Sequence, residues 1–321
     1  VRELKISSLP DNTGFSNPAW IGVQNELTEY SIQLAGFSKG ELEGAVLSVE
    51  AQVILSGLVI MSDWIASNED LFPYDMYSAG TAEEYRQRLE RAFGLLDLPS
   101  CWMPSSDWET ADFFARRFGF IPRPFQQAVV RVAATVASPG IMVIEAPMGE
   151  GKTEAALAAA EIFAQRFGLS GVMFALPTQA TSDGIFPRIE KWMSCVSADT
   201  HTVFLAHGKS RYNRFYEELP RTGWNVENEN GSNGGVVVNQ WFSGRKKGLL
   251  SDFVVGTVDQ VLMGGLKQKH LALRHLGLTN KVVIIDECHA YDEYMGSYLN
   301  KILQWLGAYR VPVILMSATL P

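Results

Sequence analysis

The ten residues 148–157, MGEGKTEAAL, constrain the fold of this chain more than any other stretch. They follow the apolar run 141–144 and lead into an alanine-rich segment, so we expect a buried strand to end here and a helix to begin. Gly149 and Gly151 let the backbone bend with its N–H groups facing inward, beside the positively polarised start of that helix. The stretch predicts a loop that binds phosphate groups; a turn before an alanine-rich core helix is the simpler alternative.

Lys152 and Thr153 give this loop its predicted chemistry. Lys152 would reach the β- and γ-phosphates of ATP, and the hydroxyl of Thr153 would ligate Mg²⁺. Ala146 stands where the strict form of the motif has its first glycine. With two polar residues from upstream, the predicted nucleotide contacts are Arg123, Gln126, Met148, Gly149, Glu150, Gly151, Lys152, Thr153 and Glu154.

A second motif places two carboxylates at the end of a predicted strand, in the run 282–289, VVIIDECH. Ligands of an open parallel sheet bind at the carboxyl ends of its strands. Asp286 would hold the hydrated Mg²⁺, and Glu287 would polarise or deprotonate the attacking water. Two solvated acids at a strand end are the alternative reading. We expect His289 to act as a hydrogen-bonding relay rather than as a metal ligand.

Polar stretches surround these two motifs. Upstream, Gln126 could read the adenine edge with support from Arg123, although a plain helix start explains that segment equally well. Downstream, PTQAT and GTVDQ each follow a predicted strand, and their threonines could donate to backbone phosphates of a bound strand without reading its sequence. The predicted DNA contacts are Thr178, Gln179, Thr181, Gly256, Thr257 and Gln260.

The pattern of apolar and polar residues changes near residue 122. Residues 1–118 read as helical, with candidate helices at 41–67, 81–93 and 107–118. Beyond them, continuous apolar runs alternate with helix-like segments, as in a parallel sheet buried on both faces. The predicted fold is α/β, with an all-α region at 1–96, a linker at 97–121 and the sheet domain at 122–321. The predicted strands are 141–144, 172–176, 203–205, 253–255, 282–285 and 311–316.

Charge divides the chain in the same way. Residues 1–121 carry 8 basic and 18 acidic side chains, whereas residues 122–321 carry 19 basic and 17 acidic ones. Only the second region suits a polyanionic partner. Three cysteines without a CxxC pair argue against a zinc site and a disulfide framework, which fits a cytoplasmic protein.

The apolar segment 51–61 is about half the length that spans a bilayer, so we expect a buried helix and no membrane partner. No signal peptide is visible. Because the chain begins with Val1, we expect it to be a processed or partial polypeptide.

One segment, 211–250, interrupts the alternation and contains the run ENENGSNGG, so we expect a flexible surface loop there. Basic and aromatic residues are interleaved at 209–216, and Arg245 begins a basic cluster at 245–247. Such a mixture suits single-stranded DNA without base preference. A solvated loop that packs over the sheet explains the same residues.

The order of these motifs resembles superfamily 2 helicases of the DExH type over residues 120–321. Further stretches are similar to the helicase–nuclease of type I CRISPR systems, namely LAHGKS, WFSGRKKGLL, GTVDQVL and DECHAYDEYM. In residues 55–70, LSGLVIMSDWIASNED is similar to the closing segment of that family's HD nuclease domain. There Asp63 would complete a His/Asp metal cluster.

The resemblance implies a RecA-like lobe that binds ATP and Mg²⁺ and pulls single-stranded DNA. It further implies an HD domain that cuts DNA with a divalent transition metal (Fe, Mn, Ni or Co), and recruitment by a type I CRISPR surveillance complex (Cascade). Ser317 and Thr319 match the motif that couples ATP state to DNA. Another DExH motor, or a module that docks onto a surveillance complex, remains an alternative.

Two departures limit what this chain should do alone. Residues 1–120 contain no histidine, and a single carboxylate holds a transition metal poorly, so we expect no nuclease activity. No second RecA-like lobe follows Pro321. Since an arginine finger from such a lobe can be worth roughly 10³–10⁵ in rate, we expect weak nucleotide binding without fast hydrolysis or unwinding.

Overall fold

A computed structural model describes residues 17–42, 46–73, 82–196, 199–206, 213–222, 235–243, 246–288 and 291–318. The chain divides into two compact units, residues 1–48 and 49–321. The first unit contains α1 (Pro18–Leu34) and α2 (Lys39–Leu42). Helix α1 begins where the sequence provides a cap, because the side chain of Asn17 accepts a hydrogen bond from the N–H of Ala19 at 3.0 Å and Pro18 follows it.

The second unit opens with helices, as the sequence predicts, but their bounds differ. They are α3 (Val49–Ala66), α4 (Ala82–Leu96), α5 (Phe113–Phe118) and α6 (Pro124–Thr135). The single helix expected over 41–67 is wrong, because α2 ends at Leu42, residues 46–48 are not helical and α3 begins only at Val49. The helix expected over 107–118 is a 3-10 turn, Asp107–Glu109, followed by α5.

An eight-stranded parallel sheet forms the centre of the second unit, which confirms the predicted fold class. Its strand order is β1-β8-β7-β2-β6-β3-β5-β4. The strands are β1 (Ile141–Glu145), β2 (Val172–Leu176), β3 (Thr200–Ala206), β4 (Arg221–Thr222), β5 (Gly235–Asn239), β6 (Phe253–Thr257), β7 (Val282–Ile285) and β8 (Val313–Ser317). Every residue of β2, β6 and β7 is buried, as expected for strands covered on both faces.

Helices cover both faces of this sheet. One apolar core lies beneath α6, α7 (Lys152–Phe167) and α8 (Gln179–Val196). The opposite core lies beneath α10 (Asp259–Leu262), α11 (Leu271–Thr279) and α12 (Glu293–Ala308). A short helix, α9 (Arg214–Glu217), precedes β4.

The described part of the segment 211–250 has regular structure, whereas the flexible loop predicted for the run ENENGSNGG falls almost wholly outside the described residues. Strand β5 pairs with β3 and β4, because the run Val236, Val237 and Val238 is apolar enough to be buried on both faces. Tyr216 and Trp241 are also buried, so these aromatics contribute to the core. Residues 223–234, which contain all of that run except its last glycine, lie outside the described residues. So do Arg245 and residues 209–212.

The prediction of a buried helix at 51–61 is also wrong. Helix α3 has 18 residues, and Gly57 is its only buried one. Among the described residues, α3 is the one helix whose length and composition would suffice to cross a membrane, a test that core helices of soluble proteins also pass. One side of α3 packs on α11, where Gly57 lies against the backbone of Ala272.

This contact predicts a difference between two helical glycines. A Cβ at Gly57 would lie 2.9 Å from the carbonyl oxygen of Ala272, whereas a Cβ at Gly94 of α4 has nothing within 4 Å. We expect Gly94→Ala to stabilise the chain by about 0.5–1 kcal/mol, because alanine favours helix. Gly57→Ala should instead destabilise it by about 1–3 kcal/mol through overpacking. Urea unfolding of both variants tests this, and equal effects would contradict it.

Candidate nucleotide-binding site

The pairing of three strands brings the two predicted motifs together. Strand β8 lies between β1 and β7, with Glu145 opposite Ser317 and Ile285 opposite Leu315. The carboxyl ends of β1 and β7 are therefore two strand spacings apart, about 10 Å. A cleft of about 550 Å³ opens there. Its lining residues are Phe120, Arg123, Gln126, Met148, Gly149, Gly151, Lys152, Thr153, Glu154, Arg188, Asp286 and Glu287.

The loop between β1 and α7 has the bend that the sequence predicts. Gly149 and Gly151 have φ angles of +82° and +81°, in the left-handed region that favours glycine. The first amides of α7 have no partner within the helix, so they face the cleft as donors. The ammonium of Lys152 donates to the carbonyl oxygen of Ala146 at 2.5 Å, which holds this cation inside the bend. Met148 is 79% exposed at the cleft mouth.

Gln126 fastens this loop to α6. Its side-chain Nε2 donates to the carbonyl oxygen of Gly151 at 3.1 Å, and its Oε1 accepts from the N–H of Arg123 at 3.0 Å. Arg123 itself donates to the carbonyl oxygen of Gly149 at 2.9 Å and to the carboxylate of Glu150 at 3.2 Å. Both upstream residues thus contact the bend. Whether Gln126 also reads an adenine edge stays a prediction.

The acidic pair is held at the end of β7. The N–H of Asp286 donates to the carbonyl oxygen of Ala175 at 2.9 Å, and its Oδ1 accepts from the N–H of Glu287 at 2.8 Å. Glu287 has a φ of +53°, an unfavourable angle for a residue with a Cβ. Such strain is concentrated at functional sites.

Two neighbours stay protonated beside these carboxylates. Burial raises the pKa of the Cys288 thiol, and the charges of Asp286 and Glu287 raise it further. Burial also raises the pKa of Tyr291, whose hydroxyl donates to the carbonyl oxygen of Asp286 at 3.2 Å. Neither group therefore adds negative charge beside the acidic pair.

The cleft includes two residues that the sequence analysis missed. Phe120 is 41% exposed, and its ring lies edge-on to Phe114 at 5.5 Å between ring centroids. Its position in the aromatic run FGFIPRPF is a signal that could have found it. Arg188 reaches the cleft from the middle of α8 and pairs with Glu154. No local pattern marks Arg188, because its role depends on how two helices pack.

The predicted DNA contacts lie near one edge of the sheet but differ in exposure. Thr178, Gln179 and Thr181 are exposed at the start of α8, where the two threonine hydroxyls lie 3.1 Å apart. Leu176 pairs with Thr257, so β2 and β6 end together. Thr257, however, is 7% exposed.

The other two predicted contacts in this group also have protein partners. A Cβ at Gly256 would lie 2.7 Å from Ala206, and the side-chain oxygen of Gln260 accepts from Arg274 at 3.2 Å. In the structure, the 178–181 segment is therefore the accessible part of the set.

The remaining predicted residues are dispersed. Ser317 is fully buried at the end of β8, and its carbonyl oxygen accepts from the N–H of Ala146 at 3.3 Å. His289 and Thr319 lie outside the described residues. Asp63 is exposed on α3. In the parts of the chain that the structure covers, no group of three or more His, Cys, Asp or Glu side chains could hold a metal.

Comparison with known protein families shows the family to which the sheet-containing part of the chain belongs. Residues 123–321 match the DEAD/DEAH box helicase family, and residues 3–72 match the family described as Cas3, HD domain. The chain belongs to the DEAD/DEAH box helicase family.

The similar proteins are CRISPR-associated nuclease/helicases, as the sequence predicts. The CRISPR-associated nuclease/helicase Cas3 of Streptococcus thermophilus is 47% identical over 305 residues, which cover 94% of this chain and 33% of that protein. The Escherichia coli K12 endonuclease/helicase Cas3 is 35% identical and matches 84% of this chain and 30% of that protein. The chain thus spans about a third of the length of these relatives.

Solved structures agree with this assignment. The T. fusca Cas3–ADP crystal structure superposes with a TM-score of 0.80 at 32% identity, covering 97% of this chain and 34% of that one. A chain of a structure described as a CRISPR RNA-guided surveillance complex, pre-nicking, gives a TM-score of 0.63 at 30% identity, again covering 97% of this chain and 30% of that one.

Alanine substitutions at the two glycines of the loop between β1 and α7 should have unequal effects on nucleotide binding. Alanine at Gly149 or Gly151 meets the same left-handed φ, so each should destabilise the chain by about 1–2 kcal/mol. Only at Gly151 would the new Cβ collide with Gln126, 2.3 Å from Nε2. We therefore expect Gly151→Ala to weaken nucleotide binding more than Gly149→Ala. Unfolding curves and titration with a fluorescent ATP analogue measure the two effects; equal affinities would contradict the role of Gln126.

The strained backbone at Glu287 predicts a second matched pair. Glu287→Gly and Glu287→Ala both remove the carboxylate, but only glycine adopts a φ of +53° without a steric penalty. We expect the glycine variant to be more stable than the alanine variant by about 1 kcal/mol. Guanidinium unfolding measures the difference. An alanine variant as stable as the glycine variant would show that this residue relaxes without cost.

Proposed function

We propose that this chain carries the ATP-binding lobe of an ATP-driven DNA helicase of the CRISPR-associated nuclease/helicase type. One observation carries the proposal: the glycine bend with Lys152 and Thr153 faces Asp286 and Glu287 across a single cleft. The bend supplies donors and a cation for phosphates, and the strand end supplies carboxylates for a metal and a water. Nucleotide hydrolysis requires both sets of groups, one to bind the phosphates and one to hold the metal and the attacking water.

The residues fit a nucleotide with Mg²⁺. Gly149 and Gly151 both line the cleft with a left-handed backbone, so their N–H groups are not screened by a side chain of their own. Lys152 already binds an oxygen atom, the carbonyl of Ala146, in the position from which it would reach the phosphates. Thr153 and Asp286 would hold Mg²⁺, which supplies positive charge against the triphosphate. Glu287 would accept a proton from the attacking water.

The proposed second substrate is single-stranded DNA. The exposed side chains of Thr178 and Gln179 are placed to donate to backbone phosphates. Thr181 would support them, since its own hydroxyl donates to the carbonyl oxygen of Thr178 at 2.8 Å. Thr257, Gly256 and Gln260 end the adjacent strand and would support this contact rather than form its surface. Ser317 joins β8 to the nucleotide loop through Ala146, which suits a residue that couples ATP state to DNA. We propose the same coupling role for His289 and Thr319.

For the whole protein, we propose DNA cleavage by an HD domain that includes Asp63 and a transition metal such as Fe, Mn, Ni or Co. The match of residues 3–72 to the Cas3 HD domain supports this part. We further propose a helical region at 1–96, a linker at 97–121, a RecA-like lobe at 122–321, a cytoplasmic location, and recruitment by a type I surveillance complex. The similarity to a chain of a structure described as a CRISPR RNA-guided surveillance complex supports the last point.

Lys152→Ala tests the nucleotide proposal directly. We expect it to abolish binding of a fluorescent ATP analogue in the presence of Mg²⁺, because the bend loses its cation. Lys191→Ala is the matched control, since Lys191 is an exposed lysine on α8 outside the cleft. Equal affinities of the two variants would contradict the assignment of the cleft to ATP.

The same variant separates a motor from a docking module. In the whole protein, Lys152→Ala should abolish DNA-stimulated ATP hydrolysis and unwinding while leaving capture by a surveillance complex intact. If the whole protein with this substitution still supported CRISPR defence against a DNA target, the result would favour the docking module over the motor. The 321-residue chain alone should bind nucleotide without rapid turnover, and fast DNA-stimulated hydrolysis by it would contradict the need for a second lobe.

A further inference from the structure

A carboxylate beside the phosphate loop needs an explanation. Glu154 lies in the first turn of α7, and its side chain is only 14% exposed. Its Oε2 would be 3.5 Å from a Cβ placed on Gly151, so the negative charge lies next to the bend. The triphosphate of ATP is itself strongly anionic. An uncompensated charge of the same sign at this distance would oppose nucleotide binding.

Arg188 compensates this charge from another helix. Its guanidinium donates to Oε1 of Glu154, and both side chains line the cleft. The other acid of the loop is compensated in the same manner, since Arg123 lies 3.2 Å from Glu150. The third lining cation, Lys152, occupies the bend itself. Glu150 and Glu154 therefore each have an arginine partner from another part of the chain, Arg123 just before α6 and Arg188 in α8.

The partner of Glu154 also links two functional regions. Helix α7 begins at the nucleotide loop, and α8 begins at the exposed threonine segment that we propose for DNA. The ion pair joins the first turn of α7 to the middle of α8. The guanidinium of Arg188 is 54% exposed, and the partner that it has in the structure is the carboxylate of Glu154.

We propose that Arg188 is a positioning residue whose charge neutralises Glu154, so that the loop accepts a polyanionic nucleotide. This inference rests on the proposed nucleotide function and adds a specificity rule to it. Removal of the arginine should penalise ligands in proportion to their negative charge, so ATP is affected more than ADP. Removal of both partners should cancel the penalty, since the unfavourable charge is then absent.

A double-mutant cycle tests this assignment. We would titrate the chain with methylanthraniloyl-ATP and methylanthraniloyl-ADP in the presence of Mg²⁺. Arg188→Gln should weaken ATP binding about tenfold and ADP binding less, and the loss should shrink in high salt. Glu154→Gln should bind at least as well as the unaltered chain. The double variant should return to within about twofold of it. Arg86→Gln, which breaks an exposed pair with Glu83 on α4, is the matched control and should change nothing.

Three outcomes would overturn the inference. An unchanged ATP affinity of Arg188→Gln would remove any role for the charge. A double variant as weak as Arg188→Gln would mean that the arginine contacts the nucleotide itself. An equal loss for ATP and ADP would indicate a structural role only. Arg188→Lys keeps the charge and should retain most affinity, so it decides the question if the glutamine variant does not fold.

Nucleotide binding by the cleft and charge neutralisation by Arg188 can be tested separately. If the unaltered chain bound no ATP analogue, the proposed function and this inference would both be overturned. If the unaltered chain bound ATP and Lys152→Ala did not, but the Arg188 and Glu154 variants all matched the unaltered chain, only this inference would fall.

Discussion

The parallel pairing of β1, β8 and β7 is the constraint on which the rest of the site depends. Each strand spacing is fixed by backbone hydrogen bonds, so the glycine bend after β1 and the acidic pair after β7 have no freedom to separate. Ser317 at the end of β8 also accepts a hydrogen bond from Ala146, which ties the bend to the intervening strand. The cleft is thus a property of the sheet, and side chains only decide what it binds.

Close approach and strain recur around this cleft. Gly151 touches the amide of Gln126, Lys152 lies within the bend, and Glu287 has a left-handed backbone. Such geometry persists only where the surroundings determine it, and here the strands beneath the cleft are fully buried. Rigid support below and strained, polar groups above are what a site needs when charge must be placed within a fraction of an ångström.

Much of this could be predicted from the sequence, for physical reasons that also explain the misses. Strands β2 and β7 are continuous apolar runs, and their predicted bounds match the structure. Strand β5 was missed because its valines follow a glycine-rich run that is typical of loops. Within the site, the loop and the acidic pair are local motifs. Arg188 reaches Glu154 only through the packing of two helices, and local patterns do not encode such a contact.

Helix α3 and the strand that carries Asp286 are mechanically connected. Gly57 of α3 lies against the backbone of α11, and α11 ends only two residues before β7 begins. A link of two residues cannot stretch, and a contact at van der Waals distance cannot be compressed. The position of α3 is therefore tied to that of β7 through α11. Helix α3 belongs to the part of the chain that matches the Cas3 HD domain family, so a packing contact joins that part to the sheet that carries the acidic pair.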